Sequence, residues 1–207
     1  NWPTIGSQID LDSAELSDVK DFFKKYYSPS NASIAIAGDF DANSVSTLVE
    51  KYFGDIKPGP PLARLGHMES SLKGPVSVVL PDKVHLPRLY LSWPTGPAFG
   101  DDEPGLTILS MLLGDGKSSR LHKKLVYDLQ IASDVSVGED AQEIAGDFTI
   151  QVTANPDCSL GDIEAILWNE LNELIENGPT EQELERAKNR IKSQHITQLE
   201  KLGGFGG

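Results

Sequence analysis

From Leu16, apolar residues recur at helical spacing: Val19, Phe23 and Tyr26 or Tyr27 follow on one stripe. Pro29 ends the run, because proline disfavours helix in the residue before it. Ala32, Ile34 and Ile36 then alternate into a strand that stops at Gly38-Asp39. Asp41 can cap the next helix, in which Val45, Leu48, Val49, Tyr52 and Phe53 form one apolar stripe. After an irregular lead-in over 1–15, residues 16–53 therefore predict helix–strand–helix. Gly54, Pro58, Gly59, Pro60, Pro61 and Gly66 crowd the next stretch with few apolar residues between them, which predicts a linker rather than a regular element.

A second pattern starts after Pro75. Val76 to Leu80 is an apolar, β-branched run, and Leu89, Leu91 and Trp93 alternate with Tyr90 and Ser92, so two strands are expected. Leu106, Leu109, Leu112 and Leu113 make a helix that stops at Gly114 and Gly116; a further helix begins at Ser118 or Ser119, whose hydroxyl would accept an orphan N–H bond. Val135 and Val137 suggest a third strand, and Phe148, Ile150 and Val152 a fourth. Ile163, Ile166, Leu167, Leu171, Leu174 and Ile175 form a long amphipathic helix closed by Asn177-Gly178-Pro179. Thr180 with Glu183 is a capping box for a last helix running to about Leu202. Strand pairs without crossover helices favour antiparallel pairing, hence an α+β fold with helices on one face of an antiparallel sheet.

Charge and chemistry narrow the function. The 207 residues carry a formal net charge of −13, which argues against a nucleic-acid surface, since that needs a basic face. The single cysteine, Cys158, excludes an internal disulfide and a Cys-rich zinc site. No apolar run is long enough to span a bilayer. The sequence begins Asn1-Trp2-Pro3 and stops at Gly207, and is expected to be a piece of a longer protein. None of His67, His85, His122 and His195 has a second histidine three or four residues away, so the helical zinc pairs are missing and no metal ligand is assigned. Gly116-Lys117-Ser118 resembles the end of a phosphate loop, but the first glycine of that motif would fall on Met111. No G-x-S-x-G is present and Cys158 has no histidine nearby in sequence, so no catalytic nucleophile is assigned. Glu181, Glu183 and Glu185 read as first-turn charges favoured by the helix dipole.

One spacing survives. Arg120 and Tyr127 are seven residues apart on the helix that follows Gly116. On an α-helix that is two turns, so both would project from one face, roughly 10 Å apart. Spacing alone fits two readings: a surface arginine with a half-buried tyrosine, or a cation and a phenol holding the carbonyls of an extended peptide.

Several stretches together resemble the insulinase/pitrilysin family of zinc metallopeptidases. They are Trp2 to Ser7, Phe22-Phe-x-x-Tyr-Tyr-Ser-Pro-Ser-Asn31, Ile34 to Asp39, Tyr52-Phe-Gly54, Leu86-Pro-Arg-Leu-Tyr-Leu91, Gly114-x-Gly-x-Ser-Ser-Arg-Leu121 and Gly178 to Leu184. The resemblance implies half-domains of the insulinase/mitochondrial processing peptidase type, antiparallel sheets covered by helices, with two halves closing on an unfolded peptide. It implies residues 1–56 as the end of the zinc-bearing half, 57–74 as a linker and 75–207 as the first part of an inactive half. In the family the first half supplies H-x-x-E-H and a later glutamate to zinc, while the second supplies an arginine and a tyrosine, seven apart, that hold substrate. Arg120 and Tyr127 match that pair in type and spacing. The zinc would then belong to the parent protein or a partner, and none to this piece. The implied partners are a peptide substrate and the zinc-bearing half, in the same chain or as a separate subunit of a homo- or heterodimer. The family also includes metal-free scaffold subunits, the alternative role, and exported bacterial members, which point to an extracytoplasmic site.

Overall fold

The computed structural model describes residues 5–200, which separate into two compact units divided between Leu65 and Gly66. The start of the Trp2 to Ser7 motif and the expected end of the last helix near Leu202 lie outside the described residues.

The first unit holds α1 (Gln8–Ser13), α2 (Leu16–Tyr26), a 3₁₀ turn at Pro29–Asn31 and α3 (Ala42–Phe53). Helix α1 replaces part of the expected irregular lead-in. Its signal is the cap: Ser7 accepts a hydrogen bond from the Asp10 amide. Asp41 caps α3 by accepting from the Ser44 amide at 2.8 Å, a bond that holds its carboxyl below the usual range. The strand expected over Ala32–Ile36 does not form. A strand exists only through a partner's hydrogen bonds; no partner pairs with this stretch among the described residues, and Ile34 and Ile36 stand exposed. The aromatic stripe of α2 is also open, with Phe22 and Tyr26 in tilted contact at 4.8 Å between ring centroids.

The second unit contains the core. Strands β1 (Arg88–Thr95), β2 (Ala132–Ala141) and β3 (Gly146–Ala154) form an antiparallel sheet in the order β1-β3-β2. The period-two alternation puts Leu91, Ile150 and Val137 in one inward row and Leu89, Val152 and Val135 in the next. Helices α4 (Glu103–Gly114) and α5 (Leu160–Asn177) pack on that face, where Leu113, Leu121, Leu125, Ile163 and Leu167 are fully buried while Leu89, Leu91 and Trp93 of β1 stay partly buried. Trp93 packs edge-on against Trp168 of α5 at 5.9 Å. Helix α6 (Glu181–Glu200) follows α5 across the Gly178 turn and packs on α4. The α+β class with an antiparallel sheet is as expected. Val76–Leu80 forms no strand and pairs with nothing among the described residues, so the anticipated strand there is absent.

Gly114 marks where α4 approaches the sheet most closely. A Cβ at this position would lie 2.5 Å from Val137 Cγ2 and 2.9 Å from the Val137 backbone nitrogen. Strand backbone cannot yield cheaply, so Gly114→Ala is expected to cost about 1–3 kcal/mol, read as a lower urea midpoint by tryptophan fluorescence. An unchanged midpoint would show that α4 and β2 can move apart freely.

Candidate functional site

The site is built on the turn between α4 and the segment that returns to β2. Gly116 takes φ +78°, a conformation a side chain rarely adopts. The Ser119 hydroxyl, fully buried, donates to the Gly116 carbonyl at 2.8 Å. Of the two cap candidates, Ser119 holds the position before the helix, its carbonyl accepting from the Lys123 amide at 2.9 Å, but its hydroxyl closes the turn from within instead of accepting an orphan amide. Arg120 and Leu121 begin a helical turn, and His122–Asp128 continues as a π-helix. Leu121 and Leu125 are both sealed in the core and fix this segment from below.

Helix α6 grips the turn from the side. Arg120 Nε donates to Glu183 Oε1 at 2.7 Å, and Arg120 Nη2 donates to Glu183 Oε2 at 2.8 Å and to the Gly178 carbonyl at 3.3 Å. The pair is bidentate and mostly buried, with side-chain exposures of 15% and 20%. Glu183 Oε2 also accepts from the Thr180 amide at 2.8 Å and the Thr180 hydroxyl at 2.9 Å, while the Glu183 amide donates to Thr180 Oγ1 at 3.3 Å. One carboxylate thus completes the capping box and the ion pair. One and two turns further along α6, Arg186 Nη1 donates to the Ser118 carbonyl at 3.0 Å and Arg190 Nε pairs with Asp115 Oδ2 at 3.1 Å. From α5, Glu170 reaches Lys124 at 3.2 Å. The Arg120 guanidinium holds the Glu183 carboxyl down at about 2, and Glu183 in turn raises Arg120.

The two residues singled out by spacing occupy different surroundings. Arg120 lies against α6, whereas Tyr127 is 75% exposed. The structure brings Arg120 to Glu183, and no hydrogen bond joins it to Tyr127 among the described residues. The reason lies in the helix type. A π-helix bonds i to i+5 and holds about one more residue per turn than an α-helix, so seven residues no longer make the two full turns that an α-helix would give. The Glu183 partner was missed because it lies 63 positions away, beyond the reach of any local pattern. Arg120 Nη1 makes no hydrogen bond among the described residues and is not one of the sealed, unpartnered atoms.

Other candidate chemistry is sparse. Among the described residues no three His, Cys, Asp or Glu side chains gather as metal ligands would, so they offer zinc no donor set. No strand enters the Gly116-Lys117-Ser118 turn, and Cys158 is a half-buried free thiol. A largely apolar groove of about 930 Å³ lies among Trp93, Leu106, Leu109, Phe148 and Trp168. Neither Arg120 nor Tyr127 lines it. No helix among the described residues is long and apolar enough to cross a membrane.

A family model described as the peptidase M16 inactive domain matches residues 13–191. The zinc protease PqqE of Helicobacter pylori is 30% identical over an alignment that takes in all of this chain and 47% of that protein. A crystal structure of a protease from Helicobacter pylori superposes with a TM-score of 0.74 at 28% identity, covering 95% of this chain and 48% of that one. A peptidase M16 inactive domain from Pseudomonas fluorescens superposes at 0.72, with 21% identity over 95% of this chain and 48% of its own; at that identity the likeness shows the fold alone. The chain spans about half the length of the curated relatives it matches.

The Arg120–Glu183 pair sets a pH response. Folded, the Glu183 carboxyl sits at about 2; unfolded, it returns to its ordinary 4.5. Its stabilisation is fully present above pH 4.5 and is lost as pH falls towards 2. Glu183→Gln is expected to lower stability at pH 7 by on the order of 2 kcal/mol, allowing for partial solvent screening, and to flatten the acid limb. Urea unfolding at a series of pH values checks this; parallel wild-type and variant profiles would refute it.

Proposed function

The chain belongs to the M16 peptidase family through its inactive domain, and we propose that it is the portion of a zinc-dependent endopeptidase that positions extended peptide substrate. The observation that carries this reading is the family match, which runs from residue 13 to residue 191 and is to the inactive domain. Half-length coverage of relatives named zinc proteases supports placing the metal and its ligands in another part of the enzyme, in the same chain or a partner subunit. In this proposal residues 1–56 complete the zinc-bearing half, 57–74 connect, and 75–207 begin the substrate-holding half; the change of compact unit after Leu65 supports a division in that region.

Within that role the two site residues divide the work. Tyr127 offers an exposed phenol to a peptide carbonyl or amide. Arg120 keeps its Glu183 pair, which holds the turn in place, and has Nη1 left to donate. Zinc, when bound by its own half, supplies Lewis-acid polarisation of the scissile carbonyl; this portion supplies alignment.

In the full-length enzyme, Tyr127→Phe is expected to lower kcat/KM on a quenched fluorogenic peptide about threefold to tenfold, a loss on the scale of one hydrogen bond, with zinc content unchanged. Arg120→Lys keeps the charge but not the fork and should lower it as well. Unaltered kinetics in both variants would remove the role given to them. The chain of residues 1–207 by itself, supplied with zinc, should show no chelator-sensitive turnover; turnover that chelator abolishes would contradict the division of labour.

A further inference from the structure

Among the described residues, the helices pack on one face of the sheet. The register places the outward-pointing residues in four cross-strand rows; these are mostly polar, with the face's one cation, Arg88, in the first row beside Thr153 and Asp134, and two aspartates in the last. The first row begins with Arg88 on β1; the last, six residues along, sets Asp147 of β3 directly opposite Asp140 of β2. Between them stand side chains such as Tyr90 and Thr149, and Gly138, whose missing Cβ leaves open space.

Each end is oriented without being neutralised. Arg88 Nε donates to Thr153 Oγ1 at 3.1 Å and Nη1 donates to Tyr90 Oη at 3.3 Å. Both acceptors are hydroxyls, so among the described residues the Arg88 charge is aimed but has no carboxylate paired with it. Asp134 shares its row but lies two strands away, about 10 Å. At the other end Asp147 Oδ2 accepts from Thr149 Oγ1 at 2.6 Å and Ser92 Oγ at 3.4 Å, and Asp140 Oδ1 accepts from Gln142 Nε2 at 2.9 Å. Each aspartate keeps one oxygen without a partner among the described residues. Like charges directly opposite in an antiparallel pair repel, and a cation seated between them relieves that repulsion.

Six residues of strand separate the two ends by about 20 Å. An extended peptide of roughly seven residues has the same span and the same charge order, an ammonium at one end and a carboxylate at the other. We propose that this open face binds short extended peptides with free ends, the terminal carboxylate on Arg88 and the terminal ammonium between Asp140 and Asp147. The proposal rests on the peptide-holding role given above and adds to it a substrate class: short, uncapped and dipolar. A longer peptide can satisfy only one end at a time, so the face measures length as well as charge.

The test uses the full-length protein, with chelator present to stop turnover, and calorimetric titration of an uncharged-side-chain heptapeptide that is uncapped, N-acetylated or C-amidated. Each cap should weaken binding about tenfold, the scale of one charge-assisted hydrogen bond. Arg88→Gln should abolish the penalty for amidation and leave that for acetylation; Arg88→Lys should restore part of it. Asp140→Asn should do the reverse, and Asp140 is the safer change because Asp147 also orders its neighbours. Caps that make no difference, or an Arg88→Gln loss equal for capped and uncapped peptides, would overturn the proposal. A long, doubly capped peptide separates the two ideas: if it binds while the heptapeptide caps have no effect, the end-reading site falls and the peptide-holding role stands. If neither peptide binds, both fall.

Discussion

Glu183 is required in two places at once. Its carboxylate caps α6 through Thr180 and clamps the Arg120 fork, so the start of one helix and the turn after another share a single anion. A mostly buried ion pair contributes little net free energy over an apolar substitute, but removing one partner strands a charge and is strongly destabilising. The pair is therefore best understood as a registration device. It fixes where α6 lies against the Asp115–Arg120 turn, and the bonds from Arg186 and Arg190 then fall into place along the same helix face.

What the registration holds is an unusual piece of backbone. The segment after Leu121 is pinned beneath by Leu125 and beside by Glu170, and its wide turn ends with the Leu129 amide on the Lys124 carbonyl and the Ile131 amide on the Leu125 carbonyl. Gln130 takes a left-handed φ of +55° to leave the helix, and Asn155 stabilises the exit by donating to the Gln130 carbonyl at 2.7 Å. A left-handed non-glycine residue costs on the order of 1–3 kcal/mol and persists only where neighbours enforce it. The consequence is positional: the widened turn carries Tyr127 out into solvent while Arg120 stays against α6. π-turns recur at functional sites for this reason, since an added residue re-aims one side chain without moving the helix.

These details explain how far the sequence could be read. Helices α2, α3 and α5 and all three strands announce themselves through local periodicity; α5 and the strands bury the patterned face, whereas α2 and α3 carry the pattern with no residue buried. The antiparallel class followed from strands adjacent in sequence, and the family from motifs in order. Where the reading failed, the cause was non-local. Ile34–Ile36 and Val76–Leu80 have strand composition but no paired partner among the described residues, and composition does not form a ladder. Arg120 and Tyr127 were placed on one face by an α period that the backbone does not keep, and nothing local to Arg120 points to Glu183, 63 residues on.

The chain leaves two kinds of surface open, and they differ physically. Val76, Val78, Val79 and Leu80, with the aromatic stripe of α2, expose apolar groups to water. Each Å² of that surface forfeits about 25 cal/mol that cover would recover, so these stretches carry a standing drive to be covered. The outward sheet face carries no such drive. Its hydroxyls, amide and charges are hydrated when free, and several already bond one another, as Arg88 with Thr153 and Thr149 with Asp147. An antiparallel sheet tolerates one wet face when its alternation is polar outward, and here every outward position except Pro94 and Gly138 carries a polar group. A surface that is stable uncovered can stay open to a ligand that comes and goes, whereas an apolar one would close on the first partner it met. For that reason the polar face, rather than the exposed valines, is where transient peptide contact fits the chemistry.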